Sequence, residues 1–312
     1  MLDVYKARYK LSGEPFRLSP DPRSCFAHRS YANAKAYLKY AICQGEGFIV
    51  VSGGAGTGKT TLISELLAEL DQTRVQLATL TNVQLDPRNL LNMVLQAFNL
   101  FVEEGTEASP LLVLEKFLKE QSQSGRQSVL IVDEAQGMSP GSLEELRLLS
   151  NLQHGSRLLL QIFLVGQEHL LETIHAPGME QFQQRLIAAS QLEPLDLNET
   201  VAYVEYRLSR VGWQGDPEIN EDALRLIHSF SGGVPRRINL VCHRLFLYGG
   251  LERKHVLVAE DVQHVAGELH KERLLTPDLF GGDLLEEDVV GPSETPRCLL
   301  SVFGRGRQQG VE

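Results

Sequence analysis

The sequence contains few cysteines, no long hydrophobic segment and no excess of positive charge. Its four cysteines stand singly, without the CxxC spacing of a zinc site or a redox dithiol, so we expect reduced and buried thiols. The longest apolar stretch, residues 158–166, is interrupted by Gln161 and is far shorter than the roughly 18–20 residues that cross a bilayer. The sequence therefore gives no sign of a disulfide framework, a zinc site or a transmembrane segment.

Positive charge is scarcer than negative charge, with 30 Lys and Arg against 40 Asp and Glu and a formal net charge of −10. Because non-specific nucleic-acid affinity depends on Lys and Arg that neutralise phosphates, this balance argues against nucleic acid as a partner. Residues 1–22 alternate charged and apolar side chains and lack the hydrophobic core of a secretory signal. We expect a cytoplasmic protein, which a partner could hold against the inner membrane.

The 312 residues, 43% of them hydrophobic, are enough for about two units with their own cores, since a domain averages roughly 150 residues. Predicted strands and helices alternate over residues 31–196, which indicates an α/β domain with a parallel sheet covered by helices. Helices alone are predicted over residues 197–274, which indicates a smaller helical domain. Residues 1–30 are expected to be an N-terminal linker segment. Residues 275–312, rich in Pro, Gly and clustered charge, are expected to be a disordered tail.

Hydrophobic periodicity gives the individual elements. The predicted strands cover residues 48–52, 74–80, 128–132 and 158–165. The predicted helices cover residues 31–43, 59–70, 87–98, 111–120 and 142–152, and then 198–210, 222–230, 235–247 and 260–271.

A glycine-rich sequence lies between the first predicted strand and the helix that follows it. It matches the pattern GxxxxGK[ST] in the strand–turn–helix context that the pattern requires. Such a loop points successive backbone N–H groups at phosphate oxygens, and the helix N-terminus adds a favourable dipole. We expect Lys59 to reach the β- and γ-phosphates of ATP and Thr60 to bind Mg²⁺. The predicted nucleotide-binding residues are Gly53, Gly54, Ala55, Gly56, Thr57, Gly58, Lys59, Thr60 and Thr61.

Two carboxylates follow the apolar strand at residues 128–132. They lie at its carboxyl end, which is where parallel sheets bind ligands. Asp133 is the candidate Mg²⁺ ligand, because a hard cation prefers oxygen. Glu134 is the candidate catalytic residue that orients or deprotonates the attacking water.

The phosphate loop, the two carboxylates and the helical region after them resemble the AAA+ ATPases, a branch of the P-loop NTPases. More narrowly, short motifs within about residues 5–272 resemble the secretion ATPases of the ExeA (general secretion pathway protein A) type. Those motifs are residues 14–16, 19–22, 45–48, 133–136, 146–152, 164–167 and 232–239. Residues 184–190 and 211–217 most resemble the branch found with exosortase (PEP-CTERM) and exopolysaccharide loci.

The resemblance implies the sheet order 5-1-4-3-2, a C-terminal helical lid domain and assembly into a homo-oligomer. It implies that Gln167, at the end of the fourth strand, is sensor 1. It also implies that Arg236, at the start of the third lid helix, is sensor 2, although Arg237 could take this part instead. Arg185 matches the region in which AAA+ subunits project an arginine finger into a neighbouring site. Many ExeA-type chains carry a second arginine four residues later, where this chain has Ala189.

The expected function is ATP hydrolysis by an AAA+ oligomer that serves envelope secretion or exopolysaccharide export through a partner protein. One alternative is a DNA-associated ATPase of the transposition-targeting type, which the acidic charge and the lack of a helix-turn-helix segment after Lys271 disfavour. Another is a slow nucleotide switch that works as a scaffold, which the intact Lys59, Asp133 and Glu134 disfavour. The transmembrane segment and peptidoglycan-binding module that ExeA-type proteins often add are not found after Leu275, so we expect the output to pass through a partner.

Overall fold

The computed structural model describes the chain in five stretches, which are residues 4–19, 25–71, 73–81, 87–101 and 109–275. The expected disordered tail lies outside them except for Leu275, and so do Pro20, Asp21 and Pro22 of the motif at 19–22. No helix within these five stretches is both long and apolar enough to cross a membrane.

A five-stranded parallel sheet forms the centre of the larger part of the molecule. Its strands are β1 (Phe48–Gly53), β2 (Val75–Leu80), β3 (Gln127–Val132), β4 (Leu160–Val165) and β5 (Leu186–Leu192). They lie side by side in the order β2-β3-β4-β1-β5, and all neighbouring pairs are parallel. This arrangement confirms the predicted α/β class and the order 5-1-4-3-2.

Helices cover both faces of the sheet and form a separate bundle after it. Their bounds are α1 (Val4–Arg8), α2 (Arg29–Gln44), α3 (Lys59–Glu69), α4 (Pro87–Ala97), α5 (Pro110–Gln123), α6 (Pro140–Ser150), α7 (His169–His175), α8 (Glu180–Gln183), α9 (Leu197–Ser209), α10 (Glu221–Ser231), α11 (Pro235–Leu251) and α12 (Ala259–Lys271). A 3-10 turn, Ala135–Gly137, follows β3, and two-residue strands pair Glu218–Ile219 with Val256–Leu257.

The predicted fourth strand starts later in the structure than the sequence indicated. Arg157–Leu158 pairs antiparallel with Gln153–His154 in a small hairpin, and β4 begins only at Leu160. The cause is the turn between the two short strands, where Gly155 has φ 64°.

The two faces of the sheet have separate hydrophobic cores, because successive side chains of a strand point to opposite sides. Val50, Leu130 and Leu164 belong to the core covered by α4, α5 and α6. Ile49 and Phe163 belong to the core covered by α2 and α3. The central strands are buried on both sides, which explains their continuous apolar runs.

A third core lies within the helical part of the molecule, and the N-terminal segment contributes to it. Tyr5, Tyr9, Leu11 and Phe16 are buried together with side chains of α9 to α12. The ring of Phe16 lies 5.4 Å from that of Phe246 on α11. Residues 1–30 were expected to be a linker, yet the described residues 4–19 are a structural part of the helical domain. The remaining domain boundaries stay predictions.

Candidate active site

Glycines shape the loop that joins β1 to α3 at positions where a side chain has no room. Gly53 has φ 151° and Gly56 has φ 85°, both in the region that favours glycine. A Cβ atom on Gly53 would lie 2.6 Å from the carbonyl oxygen of Leu192, and one on Gly56 would lie 2.7 Å from Cβ of Arg236. The loop therefore packs closely against both the end of β5 and the start of α11.

Lys59, the first residue of α3, is almost buried, with 8% of its surface exposed. Its Nζ donates to the carbonyl oxygens of Gly53 and Gly54, each at 2.9 Å. Burial lowers the pKa of Lys59, and the nearby carboxylates of Glu134 and Asp133 oppose that shift. An ammonium group with two neutral acceptors can exchange them for phosphate oxygens, because charged acceptors bind it more strongly.

The hydroxyl of Thr60 and the carboxylate of Asp133 meet at the carboxyl end of the sheet. Asp133 follows β3, and its backbone N–H donates to the carbonyl oxygen of Leu80 at 2.8 Å. Thr60 Oγ1 donates to Asp133 Oδ2 at 3.2 Å. Two neighbouring oxygen ligands suit Mg²⁺, which takes its other ligands from phosphates and water. The described stretches hold no group of three His, Cys, Asp or Glu side chains that could bind a metal.

Glu134 is held by a residue to which the sequence analysis gave no role. Glu134 has an unusual φ of 57°, and its side chain is exposed to the site. Gln136 Nε2 donates to Glu134 Oε2 at 2.6 Å. The backbone N–H of Gln167 donates to Gln136 Oε1 at 3.0 Å. Gln136 belongs to the motif at 133–136, so the only sequence signal for it was that motif.

A cavity of about 360 Å³ opens beside the phosphate loop. Residues 55–61 line it together with Glu134 and Gln167. The lining also includes six residues that the sequence analysis did not single out, which are Arg17, His28, Tyr31, Tyr203, Arg207 and Asn239. A second groove, of about 510 Å³, runs along α2 and the end of β5 and contains none of the predicted site residues.

Hydrogen bonds fix the N-terminal segment to the helical domain beside this cavity. Arg207 Nε donates to the carbonyl oxygen of Pro15 at 2.6 Å, and Asn239 Nδ2 donates to that of Arg17 at 3.3 Å. Tyr203 Oη donates to Asn239 Oδ1 at 2.9 Å. This wall of the cavity is therefore built from segments that lie about 200 residues apart in the sequence, so no local motif predicts it.

His28, directly before α2, is a buried polar group on the cavity wall. It is 5% exposed, and its Nδ1 has no hydrogen-bond partner. Burial lowers the pKa of His28, and the carboxylates of Glu199 and Glu193 oppose this shift. A neutral imidazole with a free ring nitrogen can donate to or accept from a polar ligand atom.

Arg236 lies against the phosphate loop, as the assignment of sensor 2 requires. Its backbone N–H donates to the carbonyl oxygen of Gly56 at 3.3 Å, and its exposed side chain lines the cavity. Arg237 is not among the lining residues. Of the two arginines, Arg236 is therefore the one that the fold brings to the site.

Residues 42–174 match the family described as the AAA domain. Over these residues the chain is similar to that family. The match runs from the end of α2 to α7 and so includes the phosphate loop, Asp133, Glu134 and Gln167.

Most of the chain also resembles individual known proteins. General secretion pathway protein A of Aeromonas hydrophila is 35% identical over 267 residues, which are 85% of this chain and 48% of that protein. The chain thus spans about half the length of this curated relative. Two solved structures share the fold: the ORC1 protein of Aeropyrum pernix in complex with DNA (TM-score 0.62, 16% identity, 84% of this chain and 70% of that one) and the RuvB Holliday junction branch migration motor of Thermotoga maritima (TM-score 0.51, 18% identity, 77% and 68%).

Arg185 lies away from the cavity, at the amino ends of the strands and not at their carboxyl ends. Its carbonyl oxygen accepts a hydrogen bond of 2.9 Å from the backbone N–H of Phe48, at the start of β1. The phosphate loop begins at the other end of β1, at Gly53, roughly 17 Å further along at about 3.3 Å per residue. The fold therefore does not bring Arg185 to the cavity of its own chain.

Proposed function

We propose that this protein binds ATP together with Mg²⁺ in the cavity beside the phosphate loop and hydrolyses it. The observation that carries the proposal is that Lys59, Thr60 and Glu134 line a single cavity, while Thr60 is hydrogen-bonded to Asp133. A phosphate-binding cation, a pair of Mg²⁺ ligands and a carboxylate base are the groups that phosphoryl transfer to water needs.

Each of these residues has a separate task in the proposed reaction. The backbone N–H groups at the start of α3 bind phosphate oxygens, and Lys59 transfers its hydrogen bonds from the loop carbonyls to the phosphates. Thr60 and Asp133 hold Mg²⁺, which neutralises charge on the β- and γ-phosphates when bound. Glu134 accepts a proton from the attacking water or orients it, while Arg236 supplies positive charge from the helical domain.

The part of the cavity that Tyr203, Asn239 and His28 line is the proposed site for the nucleoside. A purine has flat apolar faces and polar edges, so a wall of this mixed character suits it. The carbonyl oxygens of Pro15 and Arg17 accept hydrogen bonds from the helical domain. A nucleoside bound at this wall would therefore lie beside both the N-terminal segment and the helical domain.

For the biological role, we propose that ATP hydrolysis drives secretion across the cell envelope through a partner protein. The support is the 35% identity with General secretion pathway protein A. The finer assignment to export linked to exosortase and exopolysaccharide loci is supported by the motifs at 184–190 and 211–217. Capture of partners by the Glu134→Gln protein in the presence of ATP would test this role.

Phosphate release from ATP by the purified chain, with and without Mg²⁺, tests the proposed chemistry. We expect Mg²⁺-dependent turnover that is lost in Lys59→Ala, because this substitution removes the charge that pairs with the phosphates. ATP affinity should fall at least tenfold in Lys59→Ala, which corresponds to about 1.4 kcal/mol or more. Equal ATP affinity of the wild type and Lys59→Ala would exclude the cavity as the phosphate site.

A further inference from the structure

A glutamine side chain joins the carboxyl ends of β3 and β4 at the catalytic edge of the sheet. Gln136 donates to the carboxylate of Glu134 and accepts from the backbone N–H of Gln167. We propose that Gln136 is a positioning residue that holds Glu134 ready for the attacking water and keeps it away from Lys59. This inference rests on the proposed function, in which Glu134 acts on that water.

The backbone around Gln136 leaves its side chain little freedom. β3 and β4 are neighbouring parallel strands, with Val132 opposite Leu164, so their ends lie side by side. A Cβ atom on Gly166 would lie 2.9 Å from Gln136 Oε1 and 3.0 Å from Gln136 N. The glycine thus lets the end of β4 approach closely enough for the hydrogen bond to Gln167.

The chemistry of the amide group also fixes its orientation. The NH₂ end can only donate and the oxygen can only accept. Rotating the amide by half a turn would set its oxygen against the Glu134 carboxylate and its NH₂ group against the N–H of Gln167. Both contacts would then be repulsive. The observed orientation satisfies both neighbours.

The contact with Gln136 also affects Lys59, because Glu134 and Lys59 line the same cavity. The carboxylate is the strongest of the charges that act on Lys59, but the two groups form no ion pair among the described contacts. A carboxylate free to rotate would be drawn toward the ammonium group. It would then be lost as a base and would occupy the cation that the phosphates need. The hydrogen bond from Gln136 keeps the two tasks apart.

Two substitutions separate the bonds that Gln136 makes. Gln136→Leu has similar length and loses both bonds. Gln136→Glu retains an acceptor for the N–H of Gln167 but sets a second negative charge beside Glu134. A matched control is Gln96→Glu, which makes the same charge change at an exposed position of α4 outside the cavity.

We expect both Gln136 variants to lower the rate of ATP turnover by roughly 10- to 100-fold while ATP affinity stays within about threefold, the scale of misplacing a reacting group. The split between kcat and KM is the second measurement. A displaced Glu134 should lower kcat and leave KM nearly unchanged, whereas general damage to the site would change both. Gln96→Glu should behave as the wild type in both measurements.

Wild-type kcat in both Gln136→Leu and Gln136→Glu would overturn the inference. If the wild-type protein itself does not hydrolyse ATP, the proposed function fails, and the contact is then judged alone by a double-mutant cycle of Gln136→Leu and Glu134→Ala in urea unfolding. A coupling indistinguishable from zero in that cycle would show that Gln136 does not hold Glu134.

Discussion

Glu134 is the residue on which the proposed hydrolysis depends most directly, because it faces the cavity and has no cation bonded to it among the described contacts. Glu134→Gln keeps the shape of the side chain and removes its charge. ATP should still bind, while the rate of phosphate release should fall by roughly 10² or more, the scale for loss of a positioned base. Phosphate release and an ATP titration measure the two effects. Glu145→Gln, on an exposed turn of α6, is the matched control, and wild-type turnover in Glu134→Gln would remove Glu134 from the mechanism.

His28 should make the stability of the protein depend on pH. Burial lowers its pKa in the folded state, whereas the unfolded chain has the ordinary value of about 6.5. As the pH falls below this value, the unfolded chain takes up a proton that folded His28 does not. The free energy of unfolding therefore decreases until the folded pKa is reached.

Urea unfolding at about pH 7.5 and pH 5.5 measures this effect. His28→Gln should lose less stability between the two pH values than the wild type does, because it lacks the group that titrates. His243, whose pKa is also lowered by burial, contributes equally to both proteins. His154→Gln, at an exposed hairpin position, serves as the control. An identical loss of unfolding free energy in His28→Gln and the wild type would show that His28 does not cause the pH dependence.

At the scale of elements, the N-terminal segment is expected to be as important for stability as a core helix. Phe16 is 1% exposed and packs against Phe246. Phe16→Ala should lower the free energy of unfolding by about 3–5 kcal/mol, the usual cost of truncating a buried phenylalanine. Leu18→Ala, at a side chain 50% exposed, should cost far less in the same urea titration. Equal midpoints for the two variants would show that the segment is dispensable for the fold.

The sequence could predict the strands and helices whose packing requires a regular pattern of apolar residues. β1, β3 and β4 are buried on both faces, so they appear as continuous apolar runs. β5 mixes small and polar residues in an edge strand, so it was expected only from the resemblance to AAA+ proteins. Tyr5 and Tyr9 have helical spacing, but α1 has only five residues, and the rings that they contact lie far along the sequence on α11.

The candidate site also has one part that the sequence could predict and one part that it could not. The phosphate loop and the two carboxylates are local motifs, and their positions could be predicted because strand ends of a parallel sheet meet at one edge. The wall with His28, Tyr203 and Asn239 is assembled from residues about 200 positions apart, and nothing in the sequence pairs them. Gln136 accepts a hydrogen bond from Gln167, which follows the neighbouring strand β4. The motif at 133–136 does not contain that partner and so could not predict the contact.

At the scale of the whole molecule, the position of Arg185 predicts catalysis between subunits. The arginine lies at the start of β5, at the amino ends of the strands and not at their carboxyl ends, where the phosphate loop of its own chain lies. If it reaches the γ-phosphate of a neighbour, Arg185→Ala should keep ATP affinity and lower turnover by roughly 10² to 10⁵, by analogy with other arginine fingers.

Mixing two inactive proteins tests this arrangement. Arg185→Ala subunits keep a working cavity, and Lys59→Ala subunits still offer Arg185, so a mixture of the two should recover some phosphate release. Mixtures of Lys59→Ala with Glu134→Gln are the control and should stay inactive, because each of these proteins has a defective site of its own. Co-assembled mixtures of Arg185→Ala and Lys59→Ala without activity would rule out an arginine finger at Arg185.

Because the helical domain takes its core from both ends of the described chain, it cannot be completed early during translation. Phe16 leaves the ribosome about 230 residues before Phe246, so at roughly 5–20 residues per second it waits on the order of 10–50 s for its partner. The strands of the sheet are all synthesised within that interval. The nascent chain therefore carries Tyr5, Tyr9 and Phe16 without their partners on α11 while all five strands of the sheet are already available to fold.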